Sequence, residues 1–124
     1  MSIDVLVQSL SNIAIDKKSS RVTFYTPRDT SFTDAVVVIL VKNSIQCRAL
    51  VQEVDKGLSA YIDTYGEGLS PRQSGGYDTG WVILDAGIVV VHVISEQVCE
   101  YYDVHTLFSE RSIQSEDLLN TIQE

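Results

Sequence analysis

The stretch GWVILDAGIVVVHV, residues 80–93, decides the fold. It holds two apolar runs, Trp81–Asp85 and residues 88–94, which flank the dipeptide Ala86-Gly87. Two β-rich runs separated by two residues that include a glycine are typical of antiparallel strands joined by a tight hairpin. The chain is therefore expected to contain a β-sheet with this hairpin inside it.

A two-residue loop fixes the register, so that Trp81 is expected to lie opposite His92. Alternation then predicts an aliphatic face that lies under helices, formed by Val82, Leu84, Val89, Val91 and Val93. The other face carries Trp81, Asp85 and His92 among Ile83, Ile88, Val90 and Ile94. Two interpretations of it are open: a second core layer, or an exposed patch that binds another protein. In the second case, Trp81 with Tyr101 or Tyr102 would anchor the contact, since Trp and Tyr are common hot spots.

The residues before the hairpin predict two helices and two strands. Apolar side chains at helical spacing indicate helices over 2–16 and over 45–61, the second capped by Ser44. Alternation over 21–26 predicts a strand with one buried face. The run Ala35–Val41 is apolar on both faces, which favours a central strand under helices.

The other segments are less regular. Residues 65–80 contain Pro71 and five glycines and are expected to form a long loop, with a short edge strand near Gly68 and Leu69. Ser95 is expected to cap a short helix that ends at Tyr101 or Tyr102. Residues 1–108 then form a single α/β domain, and residues 109–124 are a helical or disordered tail.

Charge is distributed unevenly along the 124 residues, whose formal net charge is −8. Residues 85–124 contain eight acids and one base, Arg111, and no Lys or Arg occurs from Gln73 to Glu110. This disfavours direct recognition of nucleic acid, which depends on cationic contacts. An acidic surface suits a basic protein partner, although composition alone favours a simple role in solubility.

No pattern of residues predicts catalysis, a metal or a cofactor. Cys47 and Cys99 lack a metal-ligand spacing and are expected to be reduced, and His92 and His105 are too few for a histidine-rich site. No P-loop or dinucleotide fingerprint is present. The longest apolar run has seven residues, too few to span a bilayer. We expect a cytoplasmic, soluble protein that does not enter a membrane. Catalysis is disfavoured rather than excluded, because acids distant in the sequence can converge in the fold.

Two blocks of this sequence resemble the ribosomal silencing factor family, also called Iojap-related proteins. The first is Ser31-Phe-Thr-Asp34 with the apolar strand and Ser44 that follow. The second is the hairpin stretch 80–93, continuing to Glu96, Glu100, Tyr101, Tyr102 and Leu107-Phe108. The chain departs from the family pattern at Ile88, where an acid is usual, at Phe108 in place of Trp, and at the turn Val41-Lys42-Asn43.

The resemblance implies a mixed β-sheet covered by helices, similar to the nucleotidyltransferase fold but without its catalytic acids. It also implies binding to the fourteenth protein of the large ribosomal subunit, which blocks joining of the small subunit and represses translation when nutrients are scarce. Family members often dimerise when they are off the ribosome. Two other functions stay open: a nucleotide-binding or nucleotidyltransferase-like enzyme, and a generic homodimeric interaction module.

The resemblance favours partner contact for Trp81, Asp85, His92 and the pair Tyr101-Tyr102. For the first block, two roles are equally open. Ser31, Thr33 and Asp34 either contact the partner or form hydrogen bonds with their own backbone.

Overall fold

The computed structural model describes residues 3–29, 33–66 and 70–117. As far as Tyr101 the helices and strands follow the sequence expectations in kind and order, whereas the elements after it were not predicted in this form. In chain order they are α1 (Ile3–Asp16), β1 (Arg21–Pro27), β2 (Ala35–Val41), α2 (Ser44–Tyr65), β3 (Arg72–Gly76), β4 (Trp81–Asp85), β5 (Val89–Ser95), α3 (Glu96–Tyr101), α4 (Val104–Glu110) and β6 (Ser112–Asp117).

The strands of the described residues form one mixed sheet in the order β3-β4-β5-β2-β1-β6. β2 runs parallel to β5, and every other neighbouring pair is antiparallel. This confirms the predicted mixed α/β architecture and the central place of β2. None of the helices in the described ranges is both long and apolar enough to cross a membrane.

The main core lies between one face of the sheet and helices α1 and α2. The aliphatic face of the hairpin belongs to it, with Val82, Val89 and Val93 fully buried. The predicted apolar stripe of α2 is also buried: Cys47, Leu50, Val51, Val54, Leu58 and Tyr61. Burying one Leu or Val side chain contributes about 1.5–3 kcal/mol, so this layer supplies most of the hydrophobic stabilisation.

The boundaries of α2 differ slightly from the prediction. Its N-cap is Asn43 rather than Ser44, because the Asn43 side-chain oxygen accepts a hydrogen bond from the Gln46 amide at 2.8 Å. The helix also continues to Tyr65, where Gly66 ends it in the left-handed conformation, with φ of 69°.

The second face of the sheet is covered at one end by α3 and α4. Ile94 and Val104 are fully buried there, beside Tyr25 of β1. The prediction that β1 has only one buried face is therefore wrong. Val22 and Tyr25 lie on opposite faces of the strand, and both are fully buried, with exposed fractions of 0% and 1%. The reason is α4, which covers the face that alternation alone assigned to solvent.

The hairpin register differs from the prediction by two residues. Trp81 pairs with Ile94 rather than with His92. The loop is Gly87-Ile88 instead of Ala86-Gly87, since the Ala86 amide donates to the Val89 carbonyl oxygen at 3.0 Å. Gly87 takes the first loop position with φ of 80°, in the left-handed region that favours glycine.

A shift of two residues leaves each strand side chain on its predicted face, because side chains alternate with a period of two. The exception is Ile88, which was assigned to the Trp81 face. It lies in the loop and packs against the main core instead.

Two peripheral strands differ from the sequence predictions, one in position and one in kind. The edge strand of the long loop is β3 at Arg72–Gly76, and Gly68 and Leu69 lie outside the described residues. β6 occupies Ser112–Asp117, where a helical or disordered tail was expected. It pairs antiparallel with β1, which provides hydrogen-bond partners along an edge that would otherwise be open. The remainder of the predicted tail is outside the described residues.

Removal of β6 is expected to destabilise the chain. A chain that ends after Arg111 loses the β1–β6 ladder, and the free energy of unfolding is expected to fall by roughly 2–4 kcal/mol. Urea denaturation followed by circular dichroism measures this. The control is a chain that ends after Asp117, which retains β6; equal stability of the two truncated chains would contradict the structural role of β6.

Candidate functional site: an aromatic sheet face

The register of the sheet gathers most of the predicted site residues on its second face. His92 lies between Ile83 of β4 and Val38 of β2, and Val90 lies between Asp85 and Val36 in the same manner. We call this surface the aromatic face: Trp81, Ile83, Asp85, Val90 and His92 on the sheet, with Tyr101 and Tyr102 beside it. Ile83, Asp85 and Val90 are half-buried, because α3 and α4 cover only the end of the face near Ile94.

A hydrogen bond joins Trp81 and His92 on this face. The indole Nε1–H of Trp81 donates to Nδ1 of His92 at 3.0 Å. Because an indole nitrogen can only donate, Nδ1 must be unprotonated, which makes His92 a neutral ring with its proton on Nε2. The two residues are diagonal neighbours across the β4–β5 pair, with ring centroids 6.0 Å apart.

Burial keeps His92 neutral over a wide pH range. Its side chain is 8% exposed. Desolvation disfavours the charged imidazolium and lowers the pKa of His92 from 6.5 to about 4. The Trp81–His92 pair is therefore uncharged at neutral pH and satisfies two polar groups on a largely apolar surface.

Aromatic rings continue from Trp81 towards solvent. Tyr102 lies 6.1 Å from Trp81 between ring centroids, and Tyr101 lies 4.8 Å from Tyr102. Both tyrosines are strongly exposed, at 79% for Tyr101 and 61% for Tyr102. They line a groove of about 590 Å³ together with Trp81, Val98, Gln97 and Thr79.

Aromatic rings also continue from His92 into the interior. Phe108 of α4 lies 4.9 Å from His92 and 5.6 Å from Tyr25. The hydroxyl of Tyr25 is hydrogen-bonded to Nδ1 of His105, and Arg21 Nη2 donates to the other ring nitrogen of His105 at 3.2 Å. Burial raises the pKa of Tyr25 to about 12, so its hydroxyl stays protonated. This series of contacts attaches α4 to the sheet.

The inner members of this series were not predicted as a group. Alternation predicted only one buried face for the strand that carries Tyr25, and His105 was considered only as a metal ligand. The one signal in the sequence is the large ring of Tyr25, which lies on the same strand face as Thr23. No local pattern, however, links β1 to a helix that begins about 80 residues later.

The remaining predicted residues lie at the other end of the face. Asp85 Oδ1 accepts the Gly87 amide at 2.9 Å, which stabilises the hairpin loop. Asp34 is exposed, and its amide donates to the Ile88 carbonyl oxygen at 3.2 Å. Since Asp85 is four residues from Trp81 along β4, it lies about 13 Å from Trp81. The structure therefore places both acids at the loop end of the face, away from Trp81.

Thr33 forms a local hydrogen bond, one of the two roles left open by the sequence. Its hydroxyl donates to the Ala35 carbonyl oxygen at 3.1 Å. Ser31 lies outside the described residues. Within the described ranges, no group of three or more His, Cys, Asp or Glu side chains could hold a metal ion.

The buried neutral state of His92 predicts a stability that depends on pH. The unfolded chain binds a proton near pH 6.5 and the folded chain only near pH 4, so the stabilisation present above pH 6.5 is lost as the pH falls towards 4. This loss amounts to about 3 kcal/mol. We expect His92→Asn, which cannot titrate, to lack this component when urea denaturation is repeated from pH 7.5 to pH 4. Parallel pH profiles for the two proteins would contradict the neutral assignment.

Comparisons with known proteins identify the family to which the sequence is similar. The sequence profile of the family described as "Ribosomal silencing factor during starvation" matches residues 1–124. The ribosomal silencing factor RsfS of Chromobacterium violaceum is 32% identical over 109 residues, which cover 82% of this chain and 84% of that protein.

Two crystal structures have a similar fold. A protein of Chromobacterium violaceum superposes with a TM-score of 0.73 at 26% identity, covering 88% of each chain. A protein of Bacillus halodurans superposes with a TM-score of 0.66 at 27% identity, covering 84% of this chain and 93% of the other. Since the family profile matches the whole sequence, the chain belongs to the ribosomal silencing factor family.

Proposed function

We propose that this protein binds the large ribosomal subunit through the subunit's fourteenth protein and thereby blocks joining of the small subunit. Translation is repressed in this way when nutrients are scarce. The observation that carries the proposal is the aromatic face, which exposes two tyrosines beside a half-buried tryptophan. Membership of the ribosomal silencing factor family supports the coarser part, an association with the ribosome that regulates translation.

The composition of the aromatic face supports a protein partner. Trp and Tyr give large, stiff contact areas and dominate interface energetics. Ile83 and Val90 are half-buried beside them and would lose their remaining water on docking. Asp85 and Asp34 lie at the far end, where a polar rim is expected.

The charge of the region supports a basic partner and argues against rRNA as the main contact. No Lys or Arg occurs from Gln73 to Glu110, the segment that supplies β4, β5, α3 and α4. Phosphate binding requires cations, whereas acids steer a protein towards a basic surface. Such a surface would orient the chain towards ribosomal protein.

The fold supports a steric mechanism. α1 and α2 lie on the sheet face opposite the aromatic face. When the aromatic face is bound, these helices point away from the contact, and α2, with 22 residues, is about 33 Å long. A rigid layer of this size obstructs an approaching subunit without any chemistry, so we infer a cytoplasmic factor that is not an enzyme.

A second copy of the chain is a further occupant of the same face. An apolar surface with Trp81 at its centre would also be covered in a homodimer off the ribosome. In that case dimerisation and binding to the large subunit exclude each other, and added large subunits convert the dimer into bound monomers.

Binding to the large subunit is expected to depend on Tyr102. The purified protein should sediment with large subunits and reduce the formation of joined ribosomes in sucrose gradients. Tyr102→Ala removes an exposed ring and is expected to weaken binding by about 1–2 kcal/mol, or five- to thirtyfold. Tyr65→Ala is the matched control, since Tyr65 is an exposed tyrosine on α2. Unchanged joining at saturating wild-type protein would contradict the proposal.

Two substitutions of Asp85 distinguish a structural role in the hairpin loop from a contact with the partner. Asp85→Asn keeps an acceptor for the Gly87 amide and removes the charge, whereas Asp85→Ala removes both. If Asp85 meets a basic partner, both variants bind large subunits less tightly, and only Asp85→Ala has a lower melting temperature. Binding by Asp85→Asn equal to that of wild type would limit Asp85 to its role in the loop.

A further inference from the structure

The groove between α3 and the start of β4 has walls of aromatic rings. Its volume is about 590 Å³, and it is open to solvent. Trp81 and Tyr102 meet at an interplanar angle of 48°, and Tyr101 and Tyr102 meet at 81°. The three rings therefore present faces and edges in different directions around one space, which suits a flat, cationic group better than a bulky aliphatic one.

Acidic residues are neighbours in the chain of the residues that line the groove. Glu100 and Asp103 are exposed and flank the two tyrosines in the chain, and Asp78 precedes Thr79 of the groove wall. The segment from Gln73 to Glu110 supplies all the lining residues and contains no Lys or Arg. This segment therefore contributes carboxylates and no Lys or Arg to the part of the chain that forms the groove.

We propose that this groove binds an arginine side chain presented by a basic segment of the protein partner. The proposal rests on the function proposed above and assigns a chemistry to one part of the contact. A guanidinium is planar, weakly hydrated and able to stack on a ring while its N–H groups reach a carboxylate. Lysine can occupy the groove but lacks the stacking plane and the fork of donors.

The described part of the chain itself contains a contact between a guanidinium and an aromatic ring. The guanidinium carbon of Arg48 lies 4.8 Å from the ring centroid of Tyr77. That pair is intramolecular and lies outside the groove. Within the described residues, no guanidinium is seen to stack on Trp81, Tyr101 or Tyr102, the three aromatic residues of the groove.

Trp81 provides a direct measurement, since it is the single tryptophan of the chain. The full-length protein is titrated with three synthetic heptapeptides that differ only at the central residue: arginine, lysine or citrulline. Citrulline has the shape of arginine without its charge. We expect the arginine peptide to perturb Trp81 fluorescence at the lowest concentration, with at least about threefold tighter binding than the citrulline peptide. Lysine is expected to lie between them.

Variants at Tyr102 test the role of the ring. Tyr102→Leu keeps an apolar side chain without a π face and is expected to weaken arginine-peptide binding by about three- to tenfold. Tyr102→Phe keeps the ring and is expected to bind the arginine peptide as tightly as wild type does. Tyr65→Leu on α2 is the control. The NMR signal of the Trp81 indole N–H, which is hydrogen-bonded to His92, shows that each variant retains the folded face.

Two results would overturn the proposal: equal binding of the arginine and citrulline peptides, or equal binding by Tyr102→Leu and wild type. Sedimentation with large subunits, run in parallel, separates this outcome from failure of the proposed function. If wild type and Tyr102→Leu sediment equally, the arginine groove is wrong and ribosome binding stands. If wild type does not sediment while the arginine peptide still binds preferentially, the ribosomal function is wrong and the groove stands.

Discussion

The hydrogen bond from the Trp81 indole to Nδ1 of His92 is the interaction on which the functional face depends. It pairs two polar groups on a sheet surface that is otherwise apolar, so neither is left unsatisfied when α3, α4 or a partner excludes water. It also fixes His92 as a neutral ring, which agrees with the lowering of its pKa by burial. Through Tyr102 on one side and Phe108 on the other, the pair links the exposed groove to the buried contact between α4 and the sheet.

The sheet divides stability and function between its two faces. Helices α1 and α2 bury the aliphatic face completely, and that layer contains most of the core. The other face leaves Ile83 and Val90 half-buried and Tyr101 exposed, because α3 and α4 cover only one end of it. The proposed obstruction of subunit joining needs only such a face and a rigid body behind it, since obstruction requires position rather than chemistry. The absence of Lys and Arg from Gln73 to Glu110 supports the proposal of a protein partner rather than rRNA.

The sequence predicted those features that depend on local periodicity. The two faces of the hairpin were assigned correctly although the register was wrong by two residues, because an even shift does not exchange faces. The buried stripe of α2 was predicted from helical spacing in the same way. Features that depend on distant segments were missed: β6 pairs with β1 across about 90 residues, and Tyr25 contacts His105 and Phe108 across about 80. Of the candidate site, Trp81, His92, Tyr101 and Tyr102 lie together as expected, whereas Asp85 and Asp34 lie at the loop end of the face.

Site-specific photo-cross-linking tests the central claim, that the aromatic face docks on the large subunit. Tyr101 is 79% exposed, so a p-benzoylphenylalanine can replace it without disturbing the core. Irradiation in the presence of large subunits is expected to join this position to the fourteenth protein of the subunit. The same group in place of Tyr65, on the opposite side of the sheet, is expected to give no such product. A cross-link from position 65 and none from position 101, or a cross-link from position 101 to rRNA alone, would contradict the account.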